Sequence, residues 1–487
     1  MVFWPVQWSF YRRGMQNSST WAEPELVVSG RIRTSNGAWG RGEVWLGGGR
    51  ILRLVEGDPS DGHVRTTPEG VERAIPRLDV GNAFVLPGVV DAHVHCLSYE
   101  GEGVAAATRA ARAGGVTTIV EMPFDVNGPI DSHDRLLAKQ ELIDQEAHVD
   151  VALLGTLSPA GGWREAEELA SLGVVGFKVS LFLTDPHRFP RIDDHELRKV
   201  MRAVHETGLT LCVHAENNEV VKGLIAEESQ AHPMDPLAHG RSRPVVSETL
   251  GALTALEIAA EQGTALHLCH LSASRGVDLA GWYQGQGVDA TVETCPHYLT
   301  FEDRDMCDHG GRLKINPPLR SAAERDAMWR RVADGAVTVI ASDHAPWPLG
   351  FKDHDRIFDN HSGVPGVETL VAATLGGALR QDETLTAFGR AVDALTISPA
   401  RRFGLADRKG SLEVGKDADL TVFVGSDEHQ IDETMLHSNA GWSPYDGLRP
   451  GGYVSHTISR GQVIWDASSG AASAPGRGQL ITRSDRG

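Results

Sequence analysis

The chain has 487 residues, 41% hydrophobic and 23% charged. This is the composition of a soluble globular protein, long enough for a barrel plus a satellite domain. Its 46 Lys and Arg against 65 Asp and Glu leave a net charge of −19. That balance argues against a general nucleic-acid or anionic-membrane surface, and no apolar run is long enough to span a bilayer.

The first twenty residues are aromatic and irregular, and Arg12 and Arg13 follow the apolar part, the wrong order for a secretory signal. Residues 1–23 read as an N-terminal extension, with Met15 an alternative start. Short β-like runs follow at 26–28, 43–46 and 50–54, separated by Gly-rich turns. Similar runs recur at 419–423, 453–458 and 462–465. The two β-rich ends predict one small composite β-sandwich from residues 24–84 and 405–475, with residues 476–487 as a tail.

The middle, residues 85–404, alternates short β-branched runs with helical segments. Strands are predicted at 85–90, 116–122, 151–157, 174–179, 209–213, 265–269, 288–294 and 336–341. Helices are predicted at 103–113, 195–206, 248–262 and 322–333, with Leu253, Leu256 and Ala260 as a core-facing stripe. Eight such units point to an α/β fold of the (β/α)₈ barrel type, with an open doubly wound sheet as the alternative.

Chemistry-bearing residues sit at or just past the C-terminal ends of five predicted strands. His93 and His95 share one side of a strand because side chains alternate with period two. Lys178, His214, His270 and Asp343 end the fourth, fifth, sixth and eighth strands. In a barrel these ends converge on one face. Lys178 ends an apolar strand, where an ammonium is costly to bury. It either snorkels to water or has a depressed pKa and captures CO2 as a carbamate (N6-carboxylysine), whose oxygens can bridge two metals. The second reading is favoured by the surrounding imidazoles and carboxylate. Such a donor set suits two divalent ions, Zn2+ first, with Mn2+, Co2+ or Ni2+ as alternatives. Two ions roughly 3.5–4 Å apart can share a hydroxide and polarise a carbonyl. Asp343 is then ligand and catalytic acid–base in hydrolysis of an amide-like bond. His267, two residues before His270, reads as a core or supporting residue.

Five cysteines (Cys96, Cys212, Cys269, Cys295 and Cys307) are scattered, odd in number and without a CxxC pair. They read as buried fillers rather than ligands and fit a reducing, cytoplasmic compartment.

With these residues in place, the chain resembles the amidohydrolase superfamily, in particular its cyclic-amide branch of allantoinases, hydantoinases, dihydropyrimidinases and dihydroorotases. The resemblance runs from about Leu26 to Arg483. It is carried by PGVVDAHVH (87–95), GVVGFK (173–178), VHAENN (213–218), ETCPHY (293–298), KINPPLR (314–320), ASDHAP (341–346), GVPGVE (363–368) and GKDADL (415–420). It implies a binuclear centre at His93, His95, carboxylated Lys178, His214, His270 and Asp343, and assembly into homotetramers or dimers. Departures narrow the branch. Leu97 stands where dihydroorotases carry an arginine for the substrate carboxylate. Leu183 stands where dihydropyrimidinases and D-selective hydantoinases carry a tyrosine. The SPYDG segment (443–447) and VHAEN are most similar to allantoinases and L-selective hydantoinases.

The expected activity is opening of a five-membered cyclic ureide, allantoin to allantoate first and an L-hydantoinase-like reaction second. A lactonase or esterase on the same metals is a further alternative, and a non-enzymatic assembly protein is disfavoured because all six ligand positions are filled. By similarity, Asn316 and the Ser362–Gly363 turn offer groups to the substrate ring. His297 either supports the centre or touches substrate. Loops 182–193, with His187, Arg188 and Arg191, and 349–361 read as lids or as plain solvated loops.

Overall fold

The computed structural model describes residues 22–58, 64–66, 72–381, 383–470 and 478–483. The expectations for residues 1–21, including the start at Met15, lie outside the described residues.

Eight parallel strands stand side by side in chain order: Val89–Val94, Val116–Glu121, Asp150–Gly155, Gly176–Ser180, Thr210–His214, Leu266–Leu268, Ala290–Thr294 and Val339–Ile340. Nearly every residue in them is buried, as expected for strands covered on both faces. The ring closes where the His95 N–H donates to His344 O at 2.9 Å and the Ser342 N–H donates to Asp91 Oδ1 at 3.0 Å. Helices cover the outside, including Gly103–Ala113, Asp194–Thr207, Val245–Gln262 and Ala322–Ala333. Asp193 caps the second of these by accepting the Glu196 N–H at 2.9 Å. The architecture is a (β/α)₈ barrel with a satellite sheet.

The core-facing stripe on Val245–Gln262 differs from the expectation. Leu253 and Ala260 are exposed, while Ala252, Ala255, Leu256 and Ala259 are buried. The physical reason is close approach: a Cβ on Gly251 would stand 2.5 Å from the backbone of Ala215. Small residues therefore face the barrel, and the large Leu253 is turned outward.

The satellite is one seven-stranded sheet ordered Gln462–Asp466, Gly451–Ser459, Leu420–Ser426, Arg77–Pro87, Leu26–Arg33, Trp39–Gly47, Arg50–Glu56. It folds back on itself through a bridge between Arg50 and Asp417, and Val28, Val44, Ile51, Val85, Leu420 and Ile458 pack together inside. The predicted strand 85–90 is divided between the two sheets. Val85 and Leu86 pair with Val422 and Thr421 of the satellite, and the barrel strand starts at Val89. Gly88 stands at the crossing, where a Cβ would meet Thr117 Oγ1 at 2.3 Å. Residues 478–483 dock on the third barrel strand: the Val151 N–H donates to Gln479 O, the Ile481 N–H donates to Val151 O, and Ile481 is buried under the barrel.

Candidate active site

A cavity of about 430 Å³ opens at the C-terminal ends of the barrel strands. His93, His95, Lys178, His214, His270, Asn316, Asp343, Ser362 and Gly363 all line it. Two donor groups stand there. His93 Nε2 and His95 Nε2 stand 3.3 and 3.6 Å from Asp343 Oδ1. Beside them, His214 Nδ1 lies 3.1 Å from His270 Nε2, and the His93 and His270 rings are 5.3 Å apart between centroids. His270 and Asp343 both adopt left-handed backbone conformations, φ 38° and 47°, which turn their side chains off the strand ends.

Lys178 lies within the fourth strand and is only 4% exposed, so it does not snorkel to water. Its Nζ has no hydrogen-bond partner among the described residues. A depressed pKa was expected. Burial does pull the ammonium down, but Cys269 and Glu293 beside it outweigh burial and hold it above its ordinary value. Burial opposes ionisation of Asp343, yet His93 and His95 dominate and keep its carboxyl well below the usual carboxylate range. Imidazoles, a carboxylate and a partnerless buried amine around one cavity fit a divalent-metal centre.

The supporting shell was not legible beforehand. Glu293 and Glu216, both fully buried, each accept an N–H from one site histidine: His93 Nδ1 at 2.8 Å and His214 Nε2 at 2.9 Å. These bonds leave His93 Nε2 and His214 Nδ1 turned toward the cavity. Arg243 pairs with Glu216 and stacks 4.4 Å over Phe182 on the cavity wall. Glu216 had one available signal, since it lies two residues from a strand-end histidine. His267 is a supporting residue: it is buried, donates to Glu293 and meets Thr291.

The chain belongs to the amidohydrolase family. The Amidohydrolase family model matches residues 84–464. An allantoinase of Rubrobacter xylanophilus is 36% identical over 443 residues, 88% of this chain and 96% of the relative. An L-hydantoinase of Paenarthrobacter aurescens is 31% identical, covering 83% and 89%. Among solved structures, L-hydantoinase (dihydropyrimidinase) from Arthrobacter aurescens superposes with a TM-score of 0.87 at 28% identity, over 95% of this chain and all of that one.

Within this amidohydrolase, the remaining expected contacts divide. Asn316 Oδ1 is buried without a hydrogen-bond partner beside the cavity. The Gly363 N–H already donates to Lys314 O, and its carbonyl accepts from Lys352 Nζ, so this backbone is largely committed to the protein. His297 does not line the cavity. It is buried, both ring nitrogens lack partners, and burial lowers its pKa to about 4 despite the nearby Asp343. From the 182–193 loop, Phe182, Leu183, Thr184, Asp185, Arg188 and Phe189 reach the cavity, whereas exposed His187 does not and Arg191 turns to Leu181 O and Glu219. From 349–361 only His361 reaches it. The SPYDG segment supports the wall from behind: neighbouring Trp442 donates its indole N–H to the backbone of cavity-lining Trp347. Four cysteines are buried, Cys307 is exposed and all five are free.

Behind Asn316, buried His239 donates Nε2–H to Ile315 O at 2.8 Å. Burial, aided by Arg243 and Lys314, holds its pKa well below the ordinary histidine value. A depressed folded-state pKa means the unfolded chain binds the extra proton first. Stability is therefore lost as pH falls below about 6.5, by up to about 1.4 kcal/mol per unit from this group. In His239→Gln, whose amide can keep the donor, urea unfolding between about pH 7 and about pH 5 should show a shallower loss than the native chain. Parallel pH dependences would disprove the assignment.

Proposed function

We propose that this amidohydrolase opens a five-membered cyclic ureide by hydrolysis of a ring amide bond, with allantoin, giving allantoate, as the first candidate. The observation that carries the reading is the convergence of His93, His95, Lys178, His214, His270 and Asp343 on one cavity. The allantoinase relatives, together with Leu97 and Leu183, support the substrate class.

In this reading His93, His95, Asp343, His214 and His270, with Lys178 carboxylated by CO2, would hold two divalent ions. Zinc is favoured by the imidazole-rich donor set. Bound there, the ions polarise the ring carbonyl and provide a nucleophile at neutral pH. The chain's own groups do the rest. Asp343 accepts the proton of the attacking water and returns it to the leaving ring nitrogen, so the C–N bond breaks as the C–O bond forms. Asn316 Oδ1 is an acceptor for a ring N–H. Phe124, Phe182, Phe189 and Trp347 exclude water around the ring, and Arg188, held by Asp185 and Ser98 O, offers a polar contact to an exocyclic carbonyl.

L-hydantoinase-type ring opening is the second reading, favoured by the solved structure at TM-score 0.87. Five unpaired cysteines support a cytoplasmic setting. Exposed Val246, Leu250, Leu253 and Trp282 on two neighbouring helices support a homo-oligomer. The test is turnover of allantoin, 5-substituted hydantoins, dihydrouracil and dihydroorotate side by side, before and after chelation and metal readdition. Allantoin opening that is lost on chelation and returns with zinc is expected. If metal-replete protein opens none of these rings, the cyclic-ureide reading fails.

A further inference from the structure

Glu293 is the most heavily committed carboxylate near the cavity, yet it does not line it. It is the penultimate residue of the seventh barrel strand and is fully buried. Its Oε1 accepts the His93 Nδ1–H at 2.8 Å and the His270 backbone N–H at 2.9 Å. Its Oε2 accepts the His267 Nε2–H at 3.0 Å, and His267 Nδ1 in turn meets the Thr291 hydroxyl at 2.7 Å. No Lys or Arg pairs with it among the described residues, in contrast to Glu216, which has Arg243.

We infer that Glu293 is the positioning residue of the centre, one carboxylate that sets the tautomer of His93 and the backbone of His270 and so couples the two donor groups. The chemistry follows from acceptor capacity. A carboxylate offers only acceptors, so three N–H donors can converge on it without conflict. Donation from Nδ1 fixes the lone pair of His93 on Nε2, on the Asp343 side, and increases its basicity as a ligand. The second bond, together with the Leu271 N–H that donates to Glu293 O at 2.8 Å, supports His270 in its left-handed conformation. Cys269 Sγ lies close to His93 and Glu293, with ligand atoms within 4.8 Å of one another. That trio is not a separate metal site, because the Glu293 oxygens are already occupied by N–H donors.

The inference rests on the metal-centre reading above, and cobalt binding tests the two separately. Metal-free native protein and Glu293→Gln are titrated with Co2+, followed by d–d absorption and by the thermal shift on binding. In Glu293→Gln the retained amide oxygen can still accept from His93 and His270, and His267 can reverse its tautomer to accept the new N–H, so what the variant removes is the negative charge that fixes the His93 tautomer and raises its basicity as a ligand. The metal-free variant should therefore melt near the native temperature. Its Co2+ affinity should fall about 10–100-fold, with an altered absorption band and a smaller thermal shift. Should Glu293→Gln not fold, His267→Phe, which removes one buttress of Glu293, should weaken Co2+ binding in the same direction by a smaller factor. Native-like affinity and spectrum in a folded Glu293→Gln or His267→Phe would overturn the inference and leave the metal reading intact. Native protein that takes up no Co2+ would overturn both.

Discussion

Asp343→Asn lowers ring opening by about 10²- to 10⁴-fold while the protein stays folded, if Asp343 is the group that moves the proton. The substitution is unusually clean at this position. Asp343 has φ 47°, and Asn tolerates the left-handed region as readily as Asp, so the backbone has no reason to move. What changes is chemistry. The carboxylate faces His93 Nε2 and His95 Nε2 and is held ionised against the cost of burial. An amide can still accept a hydrogen bond there, but it cannot take up a proton and hand it to a leaving nitrogen. Steady-state turnover with a melting curve on the same sample checks both halves. Native-like turnover would remove Asp343 from the mechanism.

Lys409→Met destabilises the fold by about 3–5 kcal/mol, the range for stranding a buried charge. The Lys409 ammonium is buried beneath the barrel and lies 2.5, 2.9 and 2.6 Å from carboxylate oxygens of Asp150, Asp417 and Asp419. Asp150 belongs to the third barrel strand and the other two aspartates to the approach to a satellite strand, so one cation ties the two sheets. The three carboxylates have the spacing of a metal site, but the ammonium already occupies their centre. Arg460 remains on Asp150, and Arg50 and Arg408 on Asp417, after the substitution. Asp419 keeps the Arg460 backbone N–H at 2.8 Å, and burial already raises its pKa. It would be protonated or the two sheets would part. Urea unfolding at neutral pH reads the loss, and native-like stability would show that the cluster is not ionised as drawn.

The parts of this molecule legible in the sequence are those with a local period. His93 and His95 announce a shared face because strands alternate. The helices Gly103–Ala113 and Ala322–Ala333 match the expected bounds residue for residue. What was not legible depends on contacts made only when the barrel closes. His93 and Glu293 are 200 residues apart and meet because the seventh strand stands near the first. Glu293 opens the ETCPHY stretch within a predicted strand, but neither says that it accepts three buried N–H groups. The stripe expected on Val245–Gln262 was only partly right for a related reason: of Leu253, Leu256 and Ala260 only Leu256 is buried, because the tight approach at Gly251 turns the side carrying Ala252, Ala255 and Ala259 inward.

The satellite sheet also sets the order of events during synthesis. Arg77–Pro87 emerges early, but its partner Leu420–Ser426 follows more than 300 residues later. At ~5–20 residues per second the ribosome leaves that strand edge without its partner for roughly 20–60 s. The segment at 478–483 that pairs with the third barrel strand comes later still. A nascent chain can therefore form most of its barrel, histidines included, while one sheet edge remains open to other chains. Quality control of this protein falls on about the last seventh of its length: a truncated product would carry every candidate metal ligand and still lack the strands that protect the sheet.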